Sequence, residues 1–179
     1  HKVAMQLVLK ALVDPEYGVI RSMSEIDAVG HRVLHSGGDF DRSVLLNDEV
    51  LNICKKNAEL GPLHMPANIL GMEACREVMP DTPMALVFDT AFHATMPPHA
   101  YLYAIDYDDY KQYKIRRYGF HGTSHKYVSQ EAIKYLGVPA EQTKIITCHL
   151  GGGSSIAAVR GGKCIDTTMG FTPLAGVPM

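Results

Sequence analysis

The stretch KIITCHLGGGSSIAAVRGGKCIDTTMGFTPL, Lys144 to Leu174, constrains this chain more than any other. β-rich runs over 145–150, 154–160 and 163–168 are separated by Gly151-Gly152-Gly153 and by Gly161-Gly162. Glycine turns between such runs specify hairpins, so the segment reads as a β-meander. Three consecutive glycines leave no Cβ between the backbone N–H groups and a ligand, which suits an anion such as phosphate. Ser154 and Ser155 add hydroxyls at the turn exit, and His149 closes the entering strand. A P-loop would need a Lys-Ser/Thr pair opening a helix, and a dinucleotide fingerprint would need its third glycine inside one. Neither follows here. Taken alone, the segment is equally well an ordinary glycine-rich hairpin.

Upstream, the periodicity changes. It predicts a helix over 3–13, a strand over 28–35 and a turn at Ser36-Gly37-Gly38-Asp39. An amphipathic helix over 47–60 carries Val50, Leu51, Cys54 and Ala58 on its apolar side. Pro66 suits the first position of a helix over 67–79. A buried strand over 84–88 ends at Asp89. Thr123 and Ser124 are candidate caps for a helix over 125–136, which Gly137 stops. Helix–strand alternation followed by a meander predicts an α/β chain in two pieces, 1–90 and 91–179, joined near 89–98.

Composition excludes several classes. With 46% hydrophobic and 20% charged residues in 179, the chain is an ordinary globular one. A net charge of −2 supplies no basic field to recruit nucleic acid or an anionic membrane. No apolar run approaches the ~20 residues of a spanning helix. Cys54, Cys75, Cys148 and Cys164 are far apart and form no C-x-x-C pair, so they read as reduced, mostly buried thiols of a cytosolic protein. The chain opens at His1 inside an amphipathic run and closes at Met179 in a glycine-proline loop, so a piece cut from a longer polypeptide is expected.

Polar residues recur where elements stop: Arg32, His64, Asp89, His121 and His149. In α/β proteins loops at strand ends converge on one crevice. Singly, each has a plain structural use, as a hydrogen-bonded core histidine, a cap or a surface residue. His121-Gly-Thr-Ser-His125 has a spacing that places two imidazoles on one helix face, yet lacks the glutamate a zinc protease needs.

Together, HRVLHSGGDFDRSVLLNDEV, GPLHMPANILG, VFDTAFHATMP, IRRYGFHGTSHKYVS and ITCHLGGGSSIAAV…GKCIDTTMGFTPL resemble the acetate kinases, in the same order and at similar spacings from about Asp27 to Met179. The resemblance implies an actin-like (ribonuclease H-like) two-domain kinase fold, here as parts of both domains, and reversible phosphoryl transfer from ATP to acetate with Mg²⁺ or Mn²⁺. It implies acetate and ATP/ADP as partners, a cytoplasmic homodimer, and neither nucleic acid nor membrane. By the match of motifs, Arg32 is the active-site arginine, Asp89 the catalytic aspartate and His121 the histidine at the transferring phosphoryl group. His64 lies near the site. Leu34, Leu63, Phe120 and Pro173 match the pocket for the acetate methyl. His149, Leu150, Gly151, Gly152, Gly153 and Ser154, with Ser155 beyond, match the nucleotide-phosphate turn. No metal ligand is assigned within these residues.

The acceptor carboxylate is already an anion and needs no general base. It needs cations to offset its repulsion from the γ-phosphate, which Arg32 and His121 supply. Asp89 then organises Mg²⁺-bound water or a neighbouring arginine. Two departures matter. Gly152 stands where the family commonly has Asn, which leaves the phosphoryl donor open. The family's first phosphate hairpin, second active-site arginine, adenosine segment and metal-associated glutamate have no counterpart, so the central part of such an enzyme is expected, inactive by itself. A propionate, butyrate or pyrophosphate-using kinase is the nearest alternative; a non-catalytic actin-like binding module is the alternative from another class.

Overall fold

The computed structural model describes residues 2–178. They fall into two compact units: the chain up to Val33 with Val44–Val87, and Leu34–Ser43 with the chain from Phe88 onward.

In the first unit, α1 (Lys2–Leu12) leads to β1 (Val29–Val33) and the short β2 (Val44–Leu45), followed by α2 (Asp48–Lys56), α3 (Met65–Val78) and β3 (Met84–Phe88). β3 lies between β1 and β2 and pairs antiparallel with β2. Its alternating burial, with Met84, Leu86 and Phe88 inward, is the two-residue period of a strand covered on one face. The helix expected over 47–60 divides in two. Asn47 caps α2 by accepting from the Val50 N–H at 2.8 Å, and a 3₁₀ turn over Ala58–Leu60 follows. α3 starts earlier than expected, at Met65 with Pro66 in its first turn, so His64 occupies the cap position. Pro66 has no N–H to lose there, which is why the helix tolerates it. α3 packs on α1, α2 and β1, with Cys75, Met79 and Met84 at a core flanked by Met5, Leu9 and Val29.

The second unit holds a 3₁₀ turn over Ala91–Thr95, then α4 (Pro98–Tyr101), α5 (Tyr107–Tyr113), α6 (Gly122–Leu136), β4 (Lys144–Leu150), β5 (Ser154–Arg160) and β6 (Lys163–Thr167). β4, β5 and β6 form the expected antiparallel meander in chain order. Gly161 and Gly162, at φ 59° and 74°, make the two-residue turn with both residues left-handed that matches strand twist. α6 packs on β4 and on the 91–95 turn. Its last turn closes on Gly137 at φ 65°, as anticipated. Its start was not anticipated. The helix begins at Gly122, so Thr123 and Ser124 lie inside its first turn, and His121 is the cap in a left-handed conformation at φ 59°. Three of the four cysteines are buried, Cys148 being exposed. Among the described residues no helix is long and apolar enough to cross a membrane.

Candidate active site

The second unit gathers an unusual density of imidazoles around the first turn of α6. Gly122 is what lets them meet. Its N–H donates to the Asp89 carbonyl at 2.9 Å, and a Cβ there would lie 2.3 Å from that same oxygen. Only glycine allows Asp89 and the start of α6 to approach so closely. Asp89 is buried, at 1% exposure, and the neighbouring Thr90 hydroxyl is 3.0 Å from that of Ser36.

His93, from the 91–95 turn, fixes the backbone entering α6. Its Nε2 lies 2.8 Å from the Phe120 carbonyl, which can only accept, so Nε2 carries the proton. Its Nδ1 therefore accepts from the Cys164 thiol at 3.1 Å. Burial foremost holds the His93 pKa down, at about 4, and pushes the Cys164 thiol up to about 12. Both groups stay neutral.

His121 stands at the head of α6 with its ring stacked on that of His149, centroids 4.1 Å apart. His149 Nδ1 is 2.9 Å from the Ser124 hydroxyl. One helical turn on, His125 is buried between two hydroxyls, Thr147 Oγ1 at 2.7 Å and Ser155 Oγ at 2.8 Å, and Ser155 Oγ is also 2.9 Å from His121 Nδ1. The His-x-x-x-His spacing thus does bring two imidazoles to one point, and that point is a serine hydroxyl. Among the described residues no group of three or more His, Cys, Asp or Glu could hold a metal ion. Strand alternation explains the placement, since β4 turns Thr147 and His149 toward α6 and sets them opposite Ala157 and Ser155.

The glycine loop follows directly. Gly151 and Gly152 are exposed, the Gly151 N–H bonds the Gly153 carbonyl at 3.1 Å, and Ser154 Oγ donates to the Gly151 carbonyl at 3.3 Å. None of the three glycines needs a positive φ, and a Cβ on Gly152 would meet nothing within 4 Å. Glycine here gives openness rather than handedness. Ser155 does not join Ser154 as a donor at the loop; alternation turns it inward to the histidines, with no exposed surface.

Asp89, Phe120, His121, His149, Leu150 and Gly151–Ser154 therefore all belong to the second unit, as do buried Leu34 and half-buried Pro173. Arg32, exposed on β1, His64 and Leu63 belong to the first, where Leu63 is 88% exposed. The sequence reading gives no site role to His93 or Thr147, weighs His125 only as a zinc ligand, and puts Ser155 at the phosphate turn rather than beneath the histidines. The signal available was the His121–His125 spacing, set aside because it was weighed only as a metal site.

A cluster of this kind, placed between a glycine loop and a buried aspartate, can be compared with known proteins. Over its whole length the chain is 65% identical to the acetate kinase of Thermoanaerobacterium thermosaccharolyticum, of which it spans 45%. It superposes along its full length on the crystal structure of Porphyromonas gingivalis acetate kinase, with a TM-score of 0.96 at 47% identity. On a propionate kinase from Francisella tularensis the TM-score is 0.92 at 45% identity. Each time it spans about 45% of the other chain. This mixed α/β architecture is the actin-like kinase fold of those enzymes. A model of the acetokinase family matches residues 1–179, so that the chain belongs to the acetokinase family.

Proposed function

We propose that a polypeptide carrying this chain at its relatives' length transfers a phosphoryl group from ATP to acetate, giving acetyl phosphate and ADP, as a cytoplasmic homodimer. The observation that carries the reading is the head of α6: His121 held in a left-handed cap, stacked on His149 and tied to Ser155, beside buried Asp89 and an open glycine loop.

Transfer to a carboxylate asks for positioning and charge stabilisation rather than covalent help. His121 offers a ring N–H to the charge that develops on the transferred group, and the loop at Gly151–Gly153 offers backbone donors to the donor's phosphates. Arg32 offsets the charge of the acetate carboxylate. Phe120, Leu34, Leu63 and Pro173 take the methyl end. Mg²⁺ neutralises phosphate charge in such reactions and keeps most of its waters, binding through one or two carboxylates and the substrate phosphates. Asp89, the buried carboxylate beside α6, fits that pattern and is the residue that would hold it, directly or through water. The domain assignment proposed here is 1–90 and 91–179.

The test is acetyl phosphate trapped as its hydroxamate, with Ala at Arg32, Asp89 and His121 in turn. Each substitution is expected to lower kcat about a hundredfold or more. Buried Asp89 is expected to cost stability as well, unlike the other two. Parallel rates on propionate and butyrate fix chain length, since one methylene is worth only ~1–3 kcal/mol. Absence of any acetate-dependent product with ATP, another nucleotide or pyrophosphate would overturn the reading.

A further inference from the structure

We propose that Ser155, His125 and Thr147 set the position of the proton on His121, keeping it on Nδ1, so that His121 receives an anion at Nε2 only as an imidazolium. The inference rests on the role given above to His121.

The geometry is a chain of single protons. His121 Nδ1 is 2.9 Å from Ser155 Oγ, which is 2.8 Å from His125 Nε2. His125 Nδ1 is 2.7 Å from Thr147 Oγ1, which reaches the Ala157 carbonyl at 3.4 Å. Each hydroxyl has one proton to give, and a neutral imidazole has one. His125 is neutral: burial first, then the imidazoles of His93, His121 and His149, bring its pKa down to about 4.

The Ala157 carbonyl can only accept, so it gives the chain a direction. Thr147 donates to Ala157 and accepts from the His125 Nδ1–H. His125 Nε2 is then a lone pair and accepts from the Ser155 hydroxyl. The Ser155 oxygen in turn accepts from His121, whose Nδ1 must carry the proton. Only this direction puts a proton in every contact; the reverse leaves the Ala157 contact unmade. Such chains polarise each other and hold their sense together.

The consequence lies at the other nitrogen. A neutral His121 protonated on Nδ1 turns a lone pair toward whatever sits at Nε2, which repels an anion. Protonated twice, it donates. Imidazoles surround it: His149 stacked from β4, His125 on its own helix and His93 from the 91–95 turn. Anion binding at His121 is therefore coupled to proton uptake. A free tautomer would escape that coupling by moving its one proton to Nε2. Thr147, His125 and Ser155 are positioning residues, acting through His121.

The test is nitrogen NMR of a ¹⁵N-histidine-labelled polypeptide of the relatives' length, at a pH where His121 is neutral. The expected result is Nδ1–H with an unprotonated Nε2. Thr147→Val keeps the shape and removes the hydroxyl that orients the chain. A buried unpaired N–H is costlier than an unpaired acceptor, so His125 should move its proton to Nε2. Ser155 then turns over, and His121, which Thr147 does not touch, should switch to Nε2–H. The alkaline loss of kcat for acetyl phosphate formation should shrink in the same variant. A wild-type His121 with its proton on Nε2 overturns the proposal without any variant, as does a Thr147→Val tautomer still on Nδ1. NMR reads the proton with or without turnover. An Nδ1 proton in a protein that makes no acetyl phosphate upholds the proton assignment and overturns the functional reading alone.

Discussion

Replacing Gly122 with alanine separates two opposing effects whose sizes can be worked from the structure. Alanine is the better helix former by ~1 kcal/mol. At Gly71, inside α3, an added methyl would meet nothing within 4 Å. Gly71→Ala is therefore expected to stabilise by about 0.5–1 kcal/mol. At Gly122 the same methyl would lie 2.3 Å from the Asp89 carbonyl oxygen, 3.2 Å from its carbon and 3.1 Å from Phe92 Cβ. Two of those three atoms are backbone and cannot rotate aside. Asp89 and the start of α6 must part by about an ångström, losing the Gly122–Asp89 hydrogen bond. Overpacking of about 1–3 kcal/mol and a hydrogen bond worth about 1 kcal/mol outweigh the helix gain, leaving a net loss of about 1–3 kcal/mol. Displacing Asp89 by ~1 Å is expected to lower kcat about a hundredfold. Urea unfolding of both variants in a polypeptide of the relatives' length, with hydroxamate assays alongside, reads both quantities. If Gly122→Ala matches Gly71→Ala in stability and keeps wild-type kcat, close contact between Asp89 and α6 does not organise the site.

Two further outcomes are expected. His35, His93 and His125 are buried with pKa values of about 4, below the ordinary 6.5. The unfolded chain binds their protons first, so stability is full above pH 6.5, falls as pH drops, and loses no more from these groups below about 4. Each costs about 2 kcal/mol at pH 5, and acid unfolding followed by circular dichroism that sets in only below pH 4 would refute the neutral assignment. Gly152→Asn is expected to leave thermal stability unchanged, because a Cβ there meets nothing within 4 Å, and to lower the KM for ATP by adding an amide at the loop; a large fall in Tm would show the loop to be closed.

Much of the fold was legible because it depends on local chemistry. Alternation and paired glycines fixed the β4–β5–β6 meander, Gly137 marked a helix end, and the long motifs identified the family. The true start of α6 was not legible. A histidine followed by glycine makes a poor helix opening by propensity, and Thr123 and Ser124 are better caps. Packing decided otherwise, since the close approach of Asp89 makes Gly122 the first helical residue and forces His121 into a left-handed cap. The partners of the imidazoles were hidden for the same reason. Thr147 and Ser155 lie 22 and 30 residues beyond His125 in the chain, and only the antiparallel register of β4 with β5, laid against α6, brings them to its two ring nitrogens. Sequence determined the family, because its motifs are contiguous in the chain. Tertiary structure alone decided which hydroxyls each imidazole meets, because those partners are brought together by strand register and are not neighbours in chain order.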